Sequence, residues 1–189
     1  MPETRHFVSP RSIVLIGFMG TGKSAVGRAL ARRTDFLHTD MDAEMERESG
    51  KTVAQLFVEE GEAAFRARET ALLRTLAQQG QPPGKRVLST GGGTPLRPEN
   101  AALLRQFGTV VWLQVTPEAI LARVAHSLPE RPLLAAFQAD PLRRIQSLLD
   151  ERTPLYAALA DVVLETSACA DSDEGASRLM ARLGITEAK

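Results

Sequence analysis

The chain has 189 residues, of which 43% are hydrophobic and 24% charged, and its 23 basic residues balance its 23 acidic residues. This length and composition exclude an intrinsically disordered segment and fit a single folded domain. Zero formal net charge argues against binding to nucleic acid or to an anionic membrane, because both favour an excess of basic residues.

Short apolar runs alternate with helical patterns along the chain. Five segments are predicted to be strands: residues 12–16, 36–39, 87–90, 109–115 and 162–165. Helices are predicted over residues 23–33, 42–49, 52–57, 63–78, 98–107, 117–126, 141–160 and 174–183. Gly61 separates two of these helices, and Pro154 is predicted to kink or break the long one.

Strands separated by helices predict an α/β fold with a parallel sheet covered on both faces. Ligands bind such sheets beyond the carboxyl ends of the strands. Residues 17–24, 40–42 and 91–93 each follow a predicted strand. We therefore expect these three segments to meet at one edge of the sheet.

The first of these segments has the pattern G-x-x-x-x-G-K-S, ending in Lys23 and Ser24. Its glycines let backbone N–H groups approach phosphate oxygens, the lysine reaches the terminal phosphates, and the serine hydroxyl ligates Mg²⁺. The chain contains no N-K-x-D for reading guanine, and the strand that would carry a Walker-B carboxylate ends in Thr-Gly-Gly-Gly. The sequence therefore favours phosphoryl transfer to a small acceptor over a GTPase or a motor ATPase.

Asp40 and Asp42 lie two residues apart after the second predicted strand. If this stretch is extended, their side chains diverge, and one can hold a water on Mg²⁺ while the other orients or deprotonates a hydroxyl. The alternative is a solvated start of a helix, where aspartate is favoured as a cap. The residues alone leave both interpretations open.

Three arginines have the chemistry to bind anions. Arg66 lies on a predicted helix with Glu69 at i+3 to hold its guanidinium, although a surface ion pair is the ordinary interpretation of such a pair. Arg131 and Arg152 lie in "ERPLLA" and "DERTPLY". Isolated arginines are usually solvated, but a mobile arginine over a phosphate cradle also stabilises charge in phosphoryl transfer.

Cys169 is the only cysteine, which excludes an internal disulfide and fits a reducing cytoplasm. The three histidines, His6, His38 and His126, show no metal-ligand spacing. The first residues contain no apolar core of a signal peptide, and no run approaches the length of a membrane span. We expect a cytoplasmic protein that is neither exported nor bound to a membrane.

Six segments occur in order along the chain: GFMGTGKS, DMD, FRARE, STGGG, RPLL and RTPLY. With this ordered set the chain resembles the shikimate kinases, a family of P-loop kinases related to the nucleoside-monophosphate kinases. The resemblance implies a single three-layer domain, residues 1–189, with a five-stranded parallel sheet flanked by helices. It also implies a shikimate-binding segment at about 42–78 and a mobile lid at about 126–137.

The resemblance further implies ATP-dependent phosphorylation of the 3-hydroxyl of shikimate, a step of aromatic amino acid biosynthesis, with Mg²⁺ as cofactor. The catalytic residues would be Asp42, Lys23 and Arg131. The ATP-binding residues would be Gly20, Thr21, Gly22, Lys23, Ser24, Ala25 and Arg131. The shikimate-binding residues would be Asp42, Arg66, Gly91, Gly92, Gly93 and Arg152, and the metal would be held by Ser24 and by Asp40 through water.

The sequence departs from the family pattern in a few places. Thr94 and Pro95 follow the triple glycine, where the family more often has a small and then an aliphatic residue. Aligning Asp40 and Asp42 with the family's D-x-D leaves His38 as a structural residue. The lid region is one residue longer than usual, so the place of Arg123 as an adenine-stacking residue is not assigned.

Two other functions fit parts of this pattern. A gluconate kinase shares the phosphate cradle and the size, but it does not require Arg66, the triple glycine and Arg152 together. A regulator that binds shikimate or a nucleotide without turnover is the second alternative, and intact Lys23, Asp42 and Arg131 argue against it. Nothing in the sequence indicates an obligate interface, so we expect a monomer.

Overall fold

The computed structural model describes residues 12–78, 85–125 and 140–188. These residues contain one parallel sheet of five strands in the order β2-β3-β1-β4-β5. Its strands are β1 (Ser12–Ile16), β2 (Leu37–Asp40), β3 (Arg86–Ser89), β4 (Thr109–Gln114) and β5 (Val162–Glu165). All five predicted strands are confirmed, with ends shifted by one residue in β2, β3 and β4.

Seven α-helices lie in the described parts of the chain. They are α1 (Lys23–Arg33), α2 (Met41–Ser49), α3 (Val53–Gln78), α4 (Pro98–Phe107), α5 (Pro117–Val124), α6 (Pro141–Leu159) and α7 (Ser172–Leu183), with a short 3₁₀ turn at Thr94–Leu96. Helix α6 runs continuously through Pro154, where the sequence predicted a kink or a break. Helix α3 contains one non-helical residue, Gly61 with φ 80° and ψ 164°, which confirms the predicted separation of its two parts.

The sheet is buried between two layers of helices. Every residue of β1 is buried, as expected for a central parallel strand covered on both faces. On one face Ile13 and Leu15 pack with apolar residues of α1 and α7, and on the other Val14 and Ile16 pack with α2, α3, α4 and α6. This arrangement confirms the predicted three-layer α/β architecture and fixes the positions of the strand ends.

The carboxyl ends of β1, β2 and β3 meet at one edge of the sheet. Asp40 at the end of β2 pairs in register with Ser89 at the end of β3, and Ser89 pairs in turn with Leu15 of β1. The three segments that follow these strands therefore start side by side, as predicted. None of the helices within the described ranges is long and apolar enough to cross a membrane.

Candidate active site at the carboxyl edge of the sheet

The loop between β1 and α1 has the geometry of a phosphate cradle. Gly20 and Gly22 adopt φ values of 75° and 90°, a left-handed region that a residue with a Cβ rarely enters. Gly22 is the N-cap of α1, and no side chain in the described parts of the chain caps this helix or places an acidic group in its first turn. The backbone N–H groups and the positive end of the helix dipole therefore face the loop, an arrangement that binds anions.

Lys23 lies across this loop and is largely buried. Its Nζ donates hydrogen bonds to the carbonyl oxygens of Gly17 at 2.9 Å and Phe18 at 2.8 Å. Thr21 closes the loop through its hydroxyl, which donates to the carbonyl of Phe18 at 2.8 Å. The loop thus holds an ammonium group at the place where β1 ends.

Asp40 is the last residue of β2 and has extended backbone, whereas Asp42 lies in the first turn of α2. The two aspartates therefore do not share one extended segment, and the extended geometry considered for the pair is wrong. Asp40 is the N-cap of α2, and its Oδ1 accepts hydrogen bonds from the N–H groups of Asp42 at 3.0 Å and Ala43 at 3.2 Å. Asp42 belongs to the first helical turn. Asp40 thus caps the helix, whereas the carboxylate of Asp42 faces Gly91 of the triple glycine.

The carboxyl group of Asp42 has an unusual affinity for protons. Burial raises its pKa to about 6, the negative charge of Asp40 adds to the rise, and the positive charge of Lys23 opposes it. A carboxylate whose pKa approaches the ambient pH is suited to accept a proton and release it again.

The guanidinium of Arg66 on α3 is held from several sides. It donates to Oε2 of Glu69 at 2.6 Å and lies over the rings of Phe57 at 5.9 Å and Phe65 at 5.3 Å. The break at Gly61 lets helix α3 place Phe57 and Phe65, on either side of it, within 5.5 Å of each other between ring centroids. Only 14% of the Arg66 side chain is exposed, so this pair is not the ordinary surface ion pair.

The triple glycine after β3 brings the other segments together. A methyl group on Gly91 would lie 3.0 Å from Oδ1 of Asp42, and one on Gly92 would lie 3.2 Å from the backbone nitrogen of Met19 in the cradle. A methyl group on Gly93 would overlap the guanidinium of Arg66. Only glycines allow the cradle, the aspartate and the arginine to approach this loop so closely.

Arg152 on α6 is a buried cation beside the cradle. Its guanidinium lies over the ring of Phe18 at 5.2 Å, and no acidic side chain in the described ranges forms an ion pair with it. One turn further along α6, the hydroxyl of Tyr156 donates to the carbonyl of Gly92 at 2.6 Å. Burial raises the pKa of Tyr156, so this hydroxyl remains a donor at neutral pH.

A separate cavity of about 230 Å³ opens beside the cradle. Thr21, Gly22 and Ala25 line it from the cradle side, and Arg123, Thr166 and Cys169 line it from α5 and the segment after β5. Arg123 is fixed there by a hydrogen bond to the carbonyl of Thr166 at 2.8 Å. This cavity has the position expected for the nucleoside part of a nucleotide whose phosphates lie in the cradle.

His38 lies behind the cradle. Its Nε2 is 2.9 Å from Oγ of Ser89, whose hydroxyl donates to the carbonyl of Lys23 at 3.1 Å. Burial lowers the pKa of His38, which keeps its imidazole neutral at pH 7. These contacts agree with the structural role expected for this residue.

The structure therefore brings together the cradle, Asp40, Asp42, Arg66, the triple glycine and Arg152. Arg131 and the predicted lid, about residues 126–137, lie outside the described residues. Sequence reasoning did not assign Phe18, Tyr156 or Thr94 to the site. Tyr156 is the last residue of the segment RTPLY, and its one-turn spacing from Arg152 is the signal that could have placed it on the same helical face.

Comparison with known proteins identifies relatives over most of the chain. A family model described as shikimate kinase matches residues 19–183. The shikimate kinase of Chromobacterium violaceum is 46% identical over 153 residues, which cover 81% of this chain and 79% of that protein.

Solved structures give the same result. A shikimate kinase from Acinetobacter baumannii in complex with shikimate has a TM-score of 0.79 and 37% identity, covering 92% of this chain and 93% of that one. The shikimate kinase of Bacteroides thetaiotaomicron has a TM-score of 0.81 and 31% identity, covering 93% of this chain and 99% of that one. A gluconokinase from Sinorhizobium meliloti has a TM-score of 0.54 at 19% identity, which is a likeness of fold alone.

Proposed function

The chain belongs to the shikimate kinase family, and on that premise we propose that it transfers the γ-phosphoryl group of ATP to the 3-hydroxyl of shikimate. The reaction gives ADP and shikimate 3-phosphate, a step in the synthesis of aromatic amino acids. The observation that carries this proposal is the triple glycine loop, against which the phosphate cradle, Asp42 and Arg66 all lie. A donor site and an acceptor site for a hydroxylated carboxylate share this loop.

The cradle holds the triphosphate in this proposal. Backbone N–H groups at the start of α1 bind phosphate oxygens, and Lys23 moves its ammonium from the loop carbonyls to the terminal phosphates. The residues that bind ATP are Gly20, Thr21, Gly22, Lys23, Ser24 and Ala25, joined by Arg131 from the lid. The cavity beside Arg123 takes the adenosine.

The residues present fit Mg²⁺ bound together with ATP. The described parts of the chain hold no group of three or more His, Cys, Asp or Glu side chains that would cage a metal. Mg²⁺ typically keeps several waters and takes one or two protein ligands besides substrate phosphates. Ser24, and Asp40 through water, would hold the ion as such a sparse set, and Mg²⁺ would supply positive charge beside the phosphates.

Asp42 is the residue that activates the acceptor. Its carboxylate accepts a hydrogen bond from the 3-hydroxyl and takes the proton as the hydroxyl oxygen bonds to the γ-phosphorus. The bond from that phosphorus to the bridging oxygen of ADP breaks in the same step. Lys23 and Arg131 stabilise the negative charge on the transferring group.

Arg66 and Arg152 bind the carboxylate of shikimate. Arg66 is fixed by Glu69 and two aromatic rings, and Arg152 is fixed over Phe18, so both cations are oriented before the substrate arrives. Gly91, Gly92 and Gly93 let backbone groups contact the substrate ring. A carboxylate between two arginines also supplies the acidic partner that Arg152 lacks among the described residues.

We further propose a cytoplasmic monomer of one domain, residues 1–189. The single cysteine and the bacterial origin of the relatives support the cytoplasmic setting. The segment at about 42–78 binds shikimate, and the lid at about 126–137 closes over the phosphates and excludes water.

A substrate panel tests the proposed reaction. ADP release is measured in a coupled assay with shikimate, gluconate and nucleoside monophosphates as acceptors, each at the same concentration with ATP and Mg²⁺. We expect turnover with shikimate alone. Turnover only with gluconate or a nucleotide contradicts the proposal, and tight shikimate binding by calorimetry without turnover indicates a regulator.

A further inference from the structure

Glu69 is a buried carboxylate whose two oxygens have different partners. Its side chain is fully buried on α3, and its Oε2 accepts a hydrogen bond from Nη1 of Arg66 at 2.6 Å. Its Oε1 accepts a hydrogen bond from the hydroxyl of Thr94 at 2.6 Å. Arg66 therefore receives only one oxygen of this carboxylate, although a bidentate pair is the arrangement that guanidinium and carboxylate groups favour.

Thr94 is itself held firmly in place. It is fully buried at the first position of the 3₁₀ turn, and its N–H donates to the carbonyl of Gly91 at 3.2 Å. The side-chain amide of Asn100 donates to the carbonyl of Thr94 at 3.0 Å. The Thr94 hydroxyl therefore meets Glu69 in a fixed geometry, directly after the glycines that contact the acceptor site.

Because the two oxygens of Glu69 bind different partners, Arg66 and Thr94, part of the Arg66 guanidinium stays available to the acceptor site. If both oxygens of Glu69 paired with Arg66, two of the guanidinium N–H donors would be used, and less of the fork would face a substrate carboxylate. The other acid near Arg66, Glu62, is exposed and contacts it at 3.4 Å, so it competes weakly. Glu69 Oε1 also lies beside the triple glycine, 2.6 Å from the position of a methyl group on Gly91.

We propose that Thr94 is a positioning residue for the acceptor site: its hydroxyl occupies one oxygen of Glu69 and so leaves Arg66 a guanidinium edge for the substrate carboxylate. The inference rests on the proposed function, since it assumes that Arg66 binds shikimate.

Three variants of the full chain separate the hydroxyl from the shape of the side chain. T94V keeps the shape and removes the hydroxyl, T94S keeps the hydroxyl, and T94A removes the hydroxyl together with the methyl group. The matched control is T70V, because among the described residues the Thr70 hydroxyl donates to the carbonyl of Arg66 and accepts from the side chain of Arg97, and it does not contact Glu69. Shikimate and ATP dissociation constants are measured by calorimetry, and KM and kcat by the coupled assay.

We expect T94V and T94A to raise the shikimate dissociation constant about tenfold, the effect of losing one hydrogen bond to a buried charge. The ATP dissociation constant and kcat should stay within about twofold of wild type, and T94S and T70V should bind shikimate as wild type does. Unchanged shikimate binding in both T94V and T94A, or equal loss in T94S, overturns the inference. Equal weakening of ATP and shikimate also overturns it, because a general loss of structure would have that effect.

Failure of the proposed function has a different signature. If wild-type protein binds ATP but not shikimate, the proposed function and this inference both fall. If wild-type protein phosphorylates shikimate and the Thr94 variants bind it normally, only the role of Thr94 is wrong. T94A decides the result if T94V does not fold.

Discussion

Arg66 is largely buried and Arg152 is buried; both guanidinium groups lie over aromatic rings, and Glu69 pairs with Arg66. We expect Arg66→Ala or Arg152→Ala to raise the KM for shikimate by roughly 50-fold, because each removes charged hydrogen bonds to the substrate carboxylate. The KM for ATP should change little. Initial rates with each substrate varied in turn measure both constants.

Arg74→Ala provides the control for these two variants, because Arg74 is exposed and pairs with Glu99 on the surface. It should leave both KM values unchanged. If Arg66→Ala or Arg152→Ala raises the KM for ATP as much as the KM for shikimate, the assignment of these arginines to the shikimate site is wrong.

Asp42 should control the pH dependence of the reaction. Its pKa of about 6 in the folded protein means that the carboxylate is ionised above this pH and protonated below it. Because the ionised form accepts the proton, kcat/KM for shikimate should fall about tenfold per pH unit below about 6. A rate profile from pH 5 to 8 checks this, and a flat profile would contradict the role of Asp42 as base.

Asp42→Asn should abolish activity and stabilise the protein. The raised pKa means that ionised Asp42 destabilises the folded state, a penalty that is absent below the unfolded pKa of 3.8 and complete above about 6. Urea unfolding at pH 7.5 should give a variant more stable by about 2 kcal/mol, and the gain should shrink toward pH 4. A near-normal kcat would contradict the role of Asp42 as the base. Lower stability at pH 7.5 would contradict the destabilisation of the folded state by its buried charge.

At the scale of elements, the break in α3 shapes the acceptor site. Gly61 has a left-handed φ of 80°, and the helix parts on its two sides supply Phe57 and Phe65 beneath Arg66. Gly61→Ala strains this backbone by about 2 kcal/mol, because φ 80° with ψ 164° is a region that essentially only glycine adopts, although nothing lies within 4 Å of the added methyl. We expect the KM for shikimate to rise several-fold, with the KM for ATP unchanged.

The control is Gly184→Ala, since Gly184 has φ 65° at the end of α7. It should lower the free energy of unfolding by about 1 kcal/mol, the cost of a left-handed alanine, without changing either KM. If both glycine variants raise the KM for shikimate equally, the effect comes from lost stability and not from the position of Phe57 and Phe65.

At the scale of the whole molecule, the features that the sequence predicted correctly are those that depend on local patterns of residues. The cradle, the five strands and their common edge follow from backbone geometry and from the alternation of apolar runs with helices. The break at Gly61 follows from the conformational freedom of one residue. The strands, their common edge and the break are confirmed by the positions of the elements, and the cradle stays a prediction as a binding site.

Contacts between distant segments could not be predicted in this way. Tyr156 meets Gly92 across 64 residues, and Thr94 meets Glu69 across 25 residues. Such pairs leave no periodic signal, because they depend on how elements pack and not on the pattern within one element. The helical position of Asp42 was also left open, because Asp-Met-Asp fits both an extended segment and a capped helix start.

The central claim is that the cradle and the acceptor site form a single site for transfer between ATP and shikimate. Phosphorus NMR of a mixture of protein, ATP, Mg²⁺ and shikimate tests this claim most directly, because it follows both products together. We predict one shikimate phosphate for each ADP formed, with no inorganic phosphate above background, and no reaction when gluconate replaces shikimate. ADP formed together with inorganic phosphate, or a phosphate on gluconate, would contradict the account.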